Sequence, residues 1–356
     1  MRVAIDATPL IGIRTGIGVF LEGLLDSLNE LGEQEDAIEI AEYTLSFSAR
    51  LRDYTRGTWV PLPAAQAPVI WKIFNAPKIE RFLGGIDLVH GTNYVVPAST
   101  APQVLTVHDL SFLDNRFVEK SFGRRLHRSV ENAVHSGATI HTISNFVAEE
   151  IRDKYPTSDV RVVYPGVPQR TTGSPSRTPT IVAVGATQKR KGINDLVQAF
   201  EIVAHLNQEV ELQIVGPPGD SEQEIHTSIR ALPAKIRDRV HRLGFVDQLV
   251  RDQLIAGATI LAHPSHYEGF GFPILEAMAT GVPVVTTTGG AIPEVVGQAA
   301  VTVTPGDVQE LAAAISDMLE NENSRRALIA SGLERSQKFT WEATAQEMLA
   351  LYTSLI

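Results

Sequence analysis

The amino-acid sequence predicts an α/β protein of two units, each built on a parallel β-sheet covered by helices. Three observations support this prediction. The chain has 356 residues, more than a single hydrophobic core usually organises. Short β-branched runs alternate with longer stretches of helical period, as in parallel sheets with helical crossovers. Near the middle, the segment YPGVPQRTTGSPSRTP from Tyr164 to Pro179 is too rich in Pro, Gly, Ser and Thr for a helix or a central strand.

The second half of the sequence repeats the organisation of the first. A strand, a loop and a helix open the chain, and the same order restarts at Thr180 after the Pro-rich segment. We therefore predict an N-terminal unit at residues 1–168, a linker at 169–179 and a C-terminal unit at 180–338. Residues 339–356 are predicted to form a last helix, for which packing on the C-terminal unit or back on the N-terminal unit is left open.

The β-branched runs predict nine strands. They lie at Val3–Asp6, Gln103–His108, Thr139–Ile143 and Arg161–Tyr164 in the N-terminal unit, and at Thr180–Gly185, Glu211–Gly216, Arg242–Val246, Thr259–Ala262 and Val282–Thr286 in the C-terminal unit. Ligands of open parallel sheets bind at the carboxyl ends of the strands. Binding residues are therefore expected in the loops that follow these strands.

Composition and charge exclude several classes of protein. With 44% hydrophobic and 20% charged residues, the sequence is that of a soluble globular protein. The net charge of -10 argues against nucleic acid as a partner, because phosphate-backbone binding requires a basic surface. The absence of Cys excludes disulfides, thiolate catalysis and thiolate metal sites. No signal peptide and no apolar run of roughly 20 residues is present, so we predict a cytoplasmic protein whose membrane contact is at most peripheral, at the inner face of the plasma membrane.

A glycine loop follows the first predicted strand. Gly12, Gly16 and Gly18 precede an amphipathic helix, where backbone N–H groups at the helix N-terminus attract anions. The loop is therefore predicted to face a phosphate. A dinucleotide fingerprint requires a glycine at position 21, and that residue is Leu21, so the spacing does not fit NAD. The alternative interpretation is a tight turn without a ligand.

A basic run occupies the equivalent place in the second half. Arg190 and Lys191 lie between the first strand and the first helix of the C-terminal unit. Cations at the carboxyl end of a strand bind a diphosphate, Arg as a fork and Lys as a point charge. A solvated surface run is the alternative, but the acidic character of the whole chain favours a function for these cations.

Two carboxylates lie in the string from His263 to Met278. Gly269 and Gly271 allow backbone amides to approach a ligand, and the following helix begins beside that ligand. Glu268 is predicted in the loop, where it reaches a sugar. Glu276 is predicted on the first turn of the helix, where it accepts hydrogen bonds from ribose hydroxyls. Taken singly, each Glu is better explained as a solvated surface carboxylate, but the whole string argues against that interpretation.

A His-Asp pair, His108 and Asp109, ends a strand of the N-terminal unit, where it can orient or bind a polar substrate. A structural role is the alternative for His108, as for the other histidines. No third ligand falls at zinc-like spacing, no two aspartates are separated by a single residue, and neither a P-loop nor a serine elbow is present. We therefore predict no metal site and expect helix ends and cations to handle a diphosphate.

Taken in order, these strings resemble the retaining GT-B glycosyltransferases, specifically the mannosyltransferase-like, group 1 type of glycosyltransferase family 4. The resemblance runs over nearly the whole chain. It is carried by TGIGVF, TVHDLSFL, TISNFVAEEI, VVYPGV, VGATQKRKG, LGFV, HPSHYEGFGFPILEAMATGVPVV, GGAIPEVVG and FTWEATAQEML. The string YEGFGFPILEAMATGVPVV is highly specific, whereas the glycine loop alone is not.

The resemblance implies two facing Rossmann-like domains, with the donor bound mainly to the second, the acceptor mainly to the first, and chemistry in the cleft between them. The implied reaction moves a hexosyl group of the mannose or glucose type from a GDP- or UDP-linked sugar to a hydroxyl of a glycan, a lipid-linked acceptor or a small molecule. Anomeric configuration is retained, the nucleotide sugar is a co-substrate, and no other cofactor is implied. The alternative is a non-catalytic nucleotide-sugar-binding protein of the same fold.

Carried over by motif, the resemblance implies catalytic roles for His108, Asp109 and Glu268. His108 would lie near the reacting carbon and Glu268 would contact the transferred sugar. The implied donor-binding residues are Gly16, Gly18, Arg190, Lys191, Gly216, Phe245, Val246, Gly269, Phe270, Gly271, Phe272 and Glu276. One departure is Ala186, where many relatives carry an Arg, so phosphate binding depends more heavily on Arg190 and Lys191.

Two regions of the first half combine aromatic and basic residues. Trp71, Phe74 and Phe82 interleave with basic residues, and residues 116–128 contain Arg116, Lys120, Arg124, Arg125 and Arg128. We hypothesise that these regions dock a membrane surface or an anionic acceptor. An ordinary amphipathic helix with a solvated face is the alternative interpretation.

Overall fold

The computed structural model describes residues 1–12, 15–35, 37–46, 56–64, 66–169, 173 and 176–356. Within them the chain forms two compact units, Met1–Gly166 together with Phe339–Ile356, and Val167–Lys338. Each unit contains one fully parallel sheet covered by helices, which confirms the predicted fold class. Part of the predicted linker, residues 170–172, 174 and 175, lies outside the described residues.

The first unit has a seven-stranded sheet in the order β3-β2-β1-β4-β5-β6-β7. Its strands are β1 (Arg2–Asp6), β2 (Glu39–Leu45), β3 (Thr58–Val60), β4 (Leu88–Gly91), β5 (Gln103–Val107), β6 (Thr139–Thr142) and β7 (Val160–Val162). Its helices are α1 (Gly16–Glu35), α2 (Ala67–Phe74), α3 (Glu80–Leu83), α4 (Lys120–His135), α5 (Asn145–Lys154) and, from the end of the chain, α14 (Trp341–Thr353). β1 lies between β2 and β4, with Val3 opposite both Ile40 and Leu88.

The second unit has a six-stranded sheet in the order β10-β9-β8-β11-β12-β13. Its strands are β8 (Thr180–Val184), β9 (Glu211–Val215), β10 (Val240–Gly244), β11 (Ile260–His263), β12 (Val284–Thr287) and β13 (Val301–Val303). Its helices are α6 (Ile193–Leu206), α7 (Glu222–Ala231), α8 (Ala234–Arg237), α9 (Gln248–Ala256), α10 (Phe272–Ala279), α11 (Ile292–Val296), α12 (Val308–Glu320) and α13 (Glu322–Ser336). β8 lies next to β11, so the loops after these two strands meet at one edge of the sheet.

All nine predicted strands are present, with ends displaced by up to two residues, as is usual for element boundaries. Four further strands, β2, β3, β4 and β13, were not predicted. β3 and β13 have only three residues each. β4 has the sequence LVHG. Because His and Gly are not typical strand residues, the sequence does not predict this strand, although all four residues are buried.

The last helix packs tightly on α1 within the first unit. A Cβ atom on Gly23 of α1 would lie only 2.2 Å from the Trp341 ring, so any larger residue at position 23 would push the two helices apart. The Trp341 ring also lies 6.5 Å from the ring of Phe20, in the first turns of α1. Among the described residues, no helix is both long and apolar enough to cross a bilayer.

Candidate functional site

In the first unit, His108 lies directly after β5 at the carboxyl edge of the sheet and is 5% exposed. Its Nε2 lies 2.9 Å from the carbonyl oxygen of Thr92, which can only accept a hydrogen bond. The neutral ring therefore carries its proton on Nε2 and keeps Nδ1 as an acceptor. Burial lowers the pKa of His108, and the Thr92 bond and the nearby Asp109 charge only partly offset that effect.

Asp109 is used within its own turn. Its Oδ1 accepts hydrogen bonds from the backbone N–H of Ser111 at 2.9 Å and from the Ser111 hydroxyl at 2.7 Å. The Tyr94 hydroxyl also approaches this residue, 3.3 Å from its carbonyl oxygen. Through these contacts, Asp109 closes the turn that follows His108.

The glycine loop leads into α1, which begins at Gly16. Gly16 is exposed and Gly18 is buried, so the open face of this helix end is at Gly16. Ile13 and Arg14 of the loop lie outside the described residues. Two residues after Gly18, the Phe20 ring packs edge-on against the His108 ring at 5.3 Å, which holds the start of α1 beside His108.

A continuous hydrogen-bonded chain runs beneath His108. His141 Nε2 lies 3.3 Å from the carbonyl oxygen of Val163 and must donate to it, so His141 Nδ1 accepts from Thr106 at 2.8 Å. Thr106 then accepts from His90 Nε2 at 2.6 Å, and His90 Nδ1 accepts from the Tyr352 hydroxyl at 2.7 Å. Every proton in this chain has a defined place only when both histidines are neutral. The chain ties α14 to β4, β5 and β6 through buried side chains.

In the second unit, Glu268 is the centre of a buried cluster. Its Oε1 accepts from Lys191 Nζ at 2.5 Å, Ser265 Oγ at 2.7 Å and His263 Nε2 at 2.8 Å, and Arg190 Nη1 lies 3.2 Å from its Oε2. Burial alone would raise the pKa of Glu268, but the charge of Lys191, the His263 bond and the charge of Arg190 hold it well below its usual value. The carboxylate is therefore ionised throughout the neutral range.

Backbone geometry places the basic run beside Glu268. Gly192 has φ +63°, and a Cβ atom there would lie 2.1 Å from the carbonyl oxygen of Pro264, so only glycine allows this approach. The backbone N–H of His266 donates to the carbonyl oxygen of Arg190 at 2.7 Å. Gly216, after β9, serves a similar purpose, since a Cβ atom there would lie 2.1 Å from the carbonyl oxygen of Gly185 after β8.

The loop residues Gly269, Phe270 and Gly271 and the helix residue Phe272 are all buried. Gly271 has φ +102° at the start of α10, and the rings of Phe270 and Phe272 pack edge-on at 5.2 Å. The backbone therefore turns sharply into α10 and leaves the first N–H groups of the helix at the loop.

Glu276 is the fifth residue of α10, so its expected place on the first turn was wrong by about one residue. The carboxylate is buried, and its Oε2 accepts a hydrogen bond from Arg251 Nη2 of α9. Phe245 and Val246 follow β10, because that strand ends at Gly244, two residues earlier than predicted. Phe245 is 54% exposed, which leaves an apolar ring available at the carboxyl edge.

Sequence reasoning missed three contributors to this site, Ser265, His263 as a partner of Glu268, and Arg251. Ser265 and His263 lie within five residues of Glu268, and a search for donors in the same loop could have found them. Arg251 has no such signal, because it lies 25 residues before Glu276 on another helix.

Two family models match the chain. Residues 169–335 match the family Glycosyl transferases group 1, and residues 14–170 match Glycosyltransferase Family 4. The chain is 28% identical over 289 residues to O-antigen chain mannosyltransferase B of Escherichia coli. The aligned region covers 75% of this chain and 74% of the relative. It is 34% identical over 187 residues to an MMP alpha-(1->4)-mannosyltransferase of Mycolicibacterium hassiacum, covering 51% of this chain and 44% of the relative, less than half its length. The Anabaena protein Alr3699/HepE, solved in complex with UDP-glucose, has a TM-score of 0.73 at 22% identity over the full length of both chains, which confirms the GT-B fold class.

Proposed function

Because the chain belongs to the group 1 glycosyltransferases of the family 4 type, we propose that it moves a hexosyl group of the mannose or glucose type from a nucleoside diphosphate sugar to an acceptor hydroxyl, with retention of anomeric configuration. The observation that carries the proposal is the convergence of Lys191, Arg190 and Glu268 at the carboxyl edge of the second sheet. This edge is where nucleotides bind in doubly wound folds.

The donor diphosphate is assigned to Arg190, Lys191 and the N-terminus of α10. Two cations and the first N–H groups of α10 neutralise the charge that develops on the leaving diphosphate, so the proposed transfer needs neither a metal ion nor another cofactor. Glu268 contacts the hydroxyls of the sugar, and Glu276 accepts from the ribose. The mannosyltransferases among the relatives favour a mannose donor, and the HepE complex with UDP-glucose is a nucleotide-sugar complex of a protein with the same fold.

Retention is assigned to a front-face substitution. The bond between the anomeric carbon and the diphosphate oxygen breaks while the acceptor oxygen bonds to the same face of that carbon. The acceptor proton passes to the departing diphosphate oxygen, so no protein nucleophile is required. His108, with its Nε2 committed to Thr92, presents a neutral ring to the polar groups near the reacting carbon. A glycan, a lipid-linked sugar or a small molecule supplies the acceptor hydroxyl.

A nucleotide screen tests the donor class. We expect one of UDP, GDP, ADP and TDP to raise the melting temperature, since a ligand at 100 times its Kd stabilises by about 2.7 kcal/mol. The corresponding nucleotide sugar is then expected to undergo slow hydrolysis without an acceptor. Lys191→Met should weaken calorimetric affinity for that nucleotide by about 10-fold or more, the size expected for a charge-assisted hydrogen bond.

Lys189→Met provides the matched control, because Lys189 is the exposed neighbour in the same basic run and its removal changes the net charge equally. Equal affinity of the Lys191 and Lys189 variants would contradict the phosphate assignment. Stabilisation by none of the four nucleotides would contradict the donor class itself.

We propose that the first unit also makes peripheral contact with an anionic membrane. α2 exposes the apolar side chains of Val69, Ile73 and Phe74, which are 52%, 65% and 70% exposed. α4 exposes Arg124, Arg125 and Arg128. Within α4, the exposed ring of Phe122 lies 4.9 Å from the Arg125 guanidinium, and an apolar side chain beside basic ones is typical of interfacial binding.

Replacement of these three arginines of α4 by Glu should reduce co-sedimentation with phosphatidylserine-containing vesicles several-fold, since each basic residue near such a surface contributes about 1 kcal/mol. The matched control reverses three exposed cations of the second unit, Arg230, Lys235 and Arg237. Identical sedimentation of both triple variants and the wild type would remove the membrane proposal and leave the donor proposal untouched.

A further inference from the structure

Arg251 and Glu276 form a buried ion pair between two helices of the second unit. Arg251 lies on α9 and contacts the Glu276 carboxylate of α10 through its Nη2. The exposed fractions of the two side chains are 20% and 6%. The Arg251 Nη1 lies 3.3 Å from Oδ1 of Asp252, so the guanidinium is held between two carboxylates. Burial works against the charge of Arg251, but Glu276 and Asp252 raise its pKa above the usual value.

The surroundings of Glu276 make this pairing necessary. The neighbouring residues Leu275 and Ala277 are fully buried, and α10 is buried along almost its whole length. Burial of a charged group in such a place is costly unless the group is paired. Arg251 supplies the charge, and its planar guanidinium fixes the orientation of the carboxylate more strongly than a Lys ammonium can.

The pairing uses only one of the two carboxylate oxygens. Oε2 accepts from Arg251, whereas Oε1 accepts no hydrogen bond from any residue that the structure describes. The Thr280 hydroxyl contacts the backbone carbonyl of Glu276 and not its side chain. One carboxylate oxygen, held in a fixed direction, is thus left to accept a hydrogen bond from a ligand.

We propose that Arg251 is a positioning residue that fixes Glu276 so that its Oε1 accepts a hydroxyl of the donor ribose, and that this pair sets a preference for ribonucleotide over deoxyribonucleotide donors. The inference rests on the proposed function, in which Glu276 contacts the ribose. A site built to bind a hydroxyl rejects the analogue that lacks it, because the buried carboxylate is then left without a donor. The expected preference is about 10- to 100-fold, the size of one hydrogen bond to a charged group.

Calorimetric titration with UDP, GDP and their 2′-deoxy and 3′-deoxy analogues tests this inference. The wild type should bind the ribonucleotide about 10- to 100-fold more tightly than at least one deoxy analogue. Arg251→Met and Arg251→Lys should bring that ratio to within about 3-fold by weakening ribonucleotide binding, with little effect on the deoxy analogue. Glu276→Gln should reduce the ratio similarly, and adding Arg251→Met to it should cause no further loss.

The ratio distinguishes positioning from a general structural role, since a loosened fold weakens both ligands together. Arg239→Met serves as the matched control, because Arg239 is a half-buried arginine of the same unit that lies before β10, at the opposite edge of the sheet. This control should keep the wild-type ratio. Arg251→Lys retains the charge and secures a folded variant if Arg251→Met fails to fold. An unchanged ratio in Arg251→Lys, with UDP or GDP still bound, would overturn the role of Arg251 alone. Binding of none of UDP, GDP, ADP and TDP by the wild type would overturn the donor proposal and this inference together.

Discussion

Replacing Glu268 by Gln is expected to reduce sugar transfer by about 100-fold or more, the loss seen when one preorganised electrostatic group is removed from an active site. The carboxylate contacts Lys191, Arg190, His263 and Ser265. Glutamine keeps the shape but lacks the charge, so the two cations lose the group that holds them apart and aligned.

Nucleoside diphosphate binding should respond differently from turnover. In the wild type, a diphosphate must share Lys191 and Arg190 with the Glu268 carboxylate. Without that negative charge, both cations can pair fully with the phosphates. The affinity for the nucleoside diphosphate should therefore be unchanged or higher, while kcat falls. A fall in kcat without a fall in affinity indicates that Glu268 acts at the sugar. Loss of the site's structure would lower both quantities.

Glu320→Gln is the control for this substitution, because Glu320 is an exposed carboxylate of α12 in the same unit. It should leave both affinity and kcat at wild-type values. Thermal melting of both variants checks that each is folded, since removing one partner of a buried ion pair costs about 3–5 kcal/mol. A folded Glu268→Gln enzyme with near wild-type turnover would exclude Glu268 from the chemistry.

How far the sequence predicts this site depends on how far apart its parts lie in the chain. The loop from His263 to Glu276 is one continuous string, and its Gly and Glu pattern indicates a ligand loop without any tertiary information. The pairing of Lys191 with Glu268 follows from a simple rule, because both lie after neighbouring strands of one sheet and loops at that edge meet.

Other contacts have no local signature. His90 and Tyr352 are 262 residues apart, and β4, which carries His90, was not predicted at all. In the sequence, Arg251 is one of several polar residues of an amphipathic helix. Only the packing of α9 against α10 brings it to Glu276. Asp109 shows a different limit, since its sequence position indicates a ligand contact but does not reveal that its carboxylate also closes a local turn. Packing and tertiary hydrogen bonds decide these cases, and neither follows from spacing alone.

Lowering the pH from 6.5 toward about 5 is expected to destabilise the first unit steeply because of its buried histidines. Burial, followed by the charges of the neighbouring histidines, holds the pKa of His90 well below its usual value of 6.5. Burial likewise lowers the pKa of His141 to about 3. The unfolded chain therefore takes up protons below pH 6.5 that the folded chain does not bind. Stability is present above pH 6.5 and falls as the pH decreases, by about 1.4 kcal/mol per pH unit for each such histidine.

Asp6 acts in the opposite direction over part of this range. Burial raises its pKa from 3.8 to about 6, so the folded state binds a proton there before the unfolded state does. Between pH 4 and 6, protonation of Asp6 therefore offsets the loss of stability caused by about one of the histidines. With His90, His108 and His141 all depressed, the net change still favours unfolding in acid. At about pH 5 the loss is a few kcal/mol, a large part of the 5–15 kcal/mol that stabilises a typical domain.

Tryptophan fluorescence during urea unfolding measures this effect on the first unit selectively, because Trp59, Trp71 and Trp341 all belong to that unit. His141→Gln retains a donor for the Val163 carbonyl and an acceptor for Thr106 but does not titrate. Its free energy of unfolding should therefore depend less on pH than that of the wild type, by about 1.4 kcal/mol per pH unit below pH 6.5.

His135→Gln removes an exposed histidine from α4 of the same unit and should leave the wild-type slope unchanged. If the His141 and His135 variants have the same slope, the buried chain does not control acid stability. The expected difference follows from the direction of the hydrogen bonds. The Nε2–H group of His141 donates to the Val163 carbonyl, and the Thr106 hydroxyl donates to Nδ1. A second proton on His141 would lie on Nδ1, where it has no acceptor, and would break the hydrogen bond from Thr106. Thr106 is the link to His90 and so to Tyr352, which means that one protonation loosens the attachment of α14 to the central strands of the sheet.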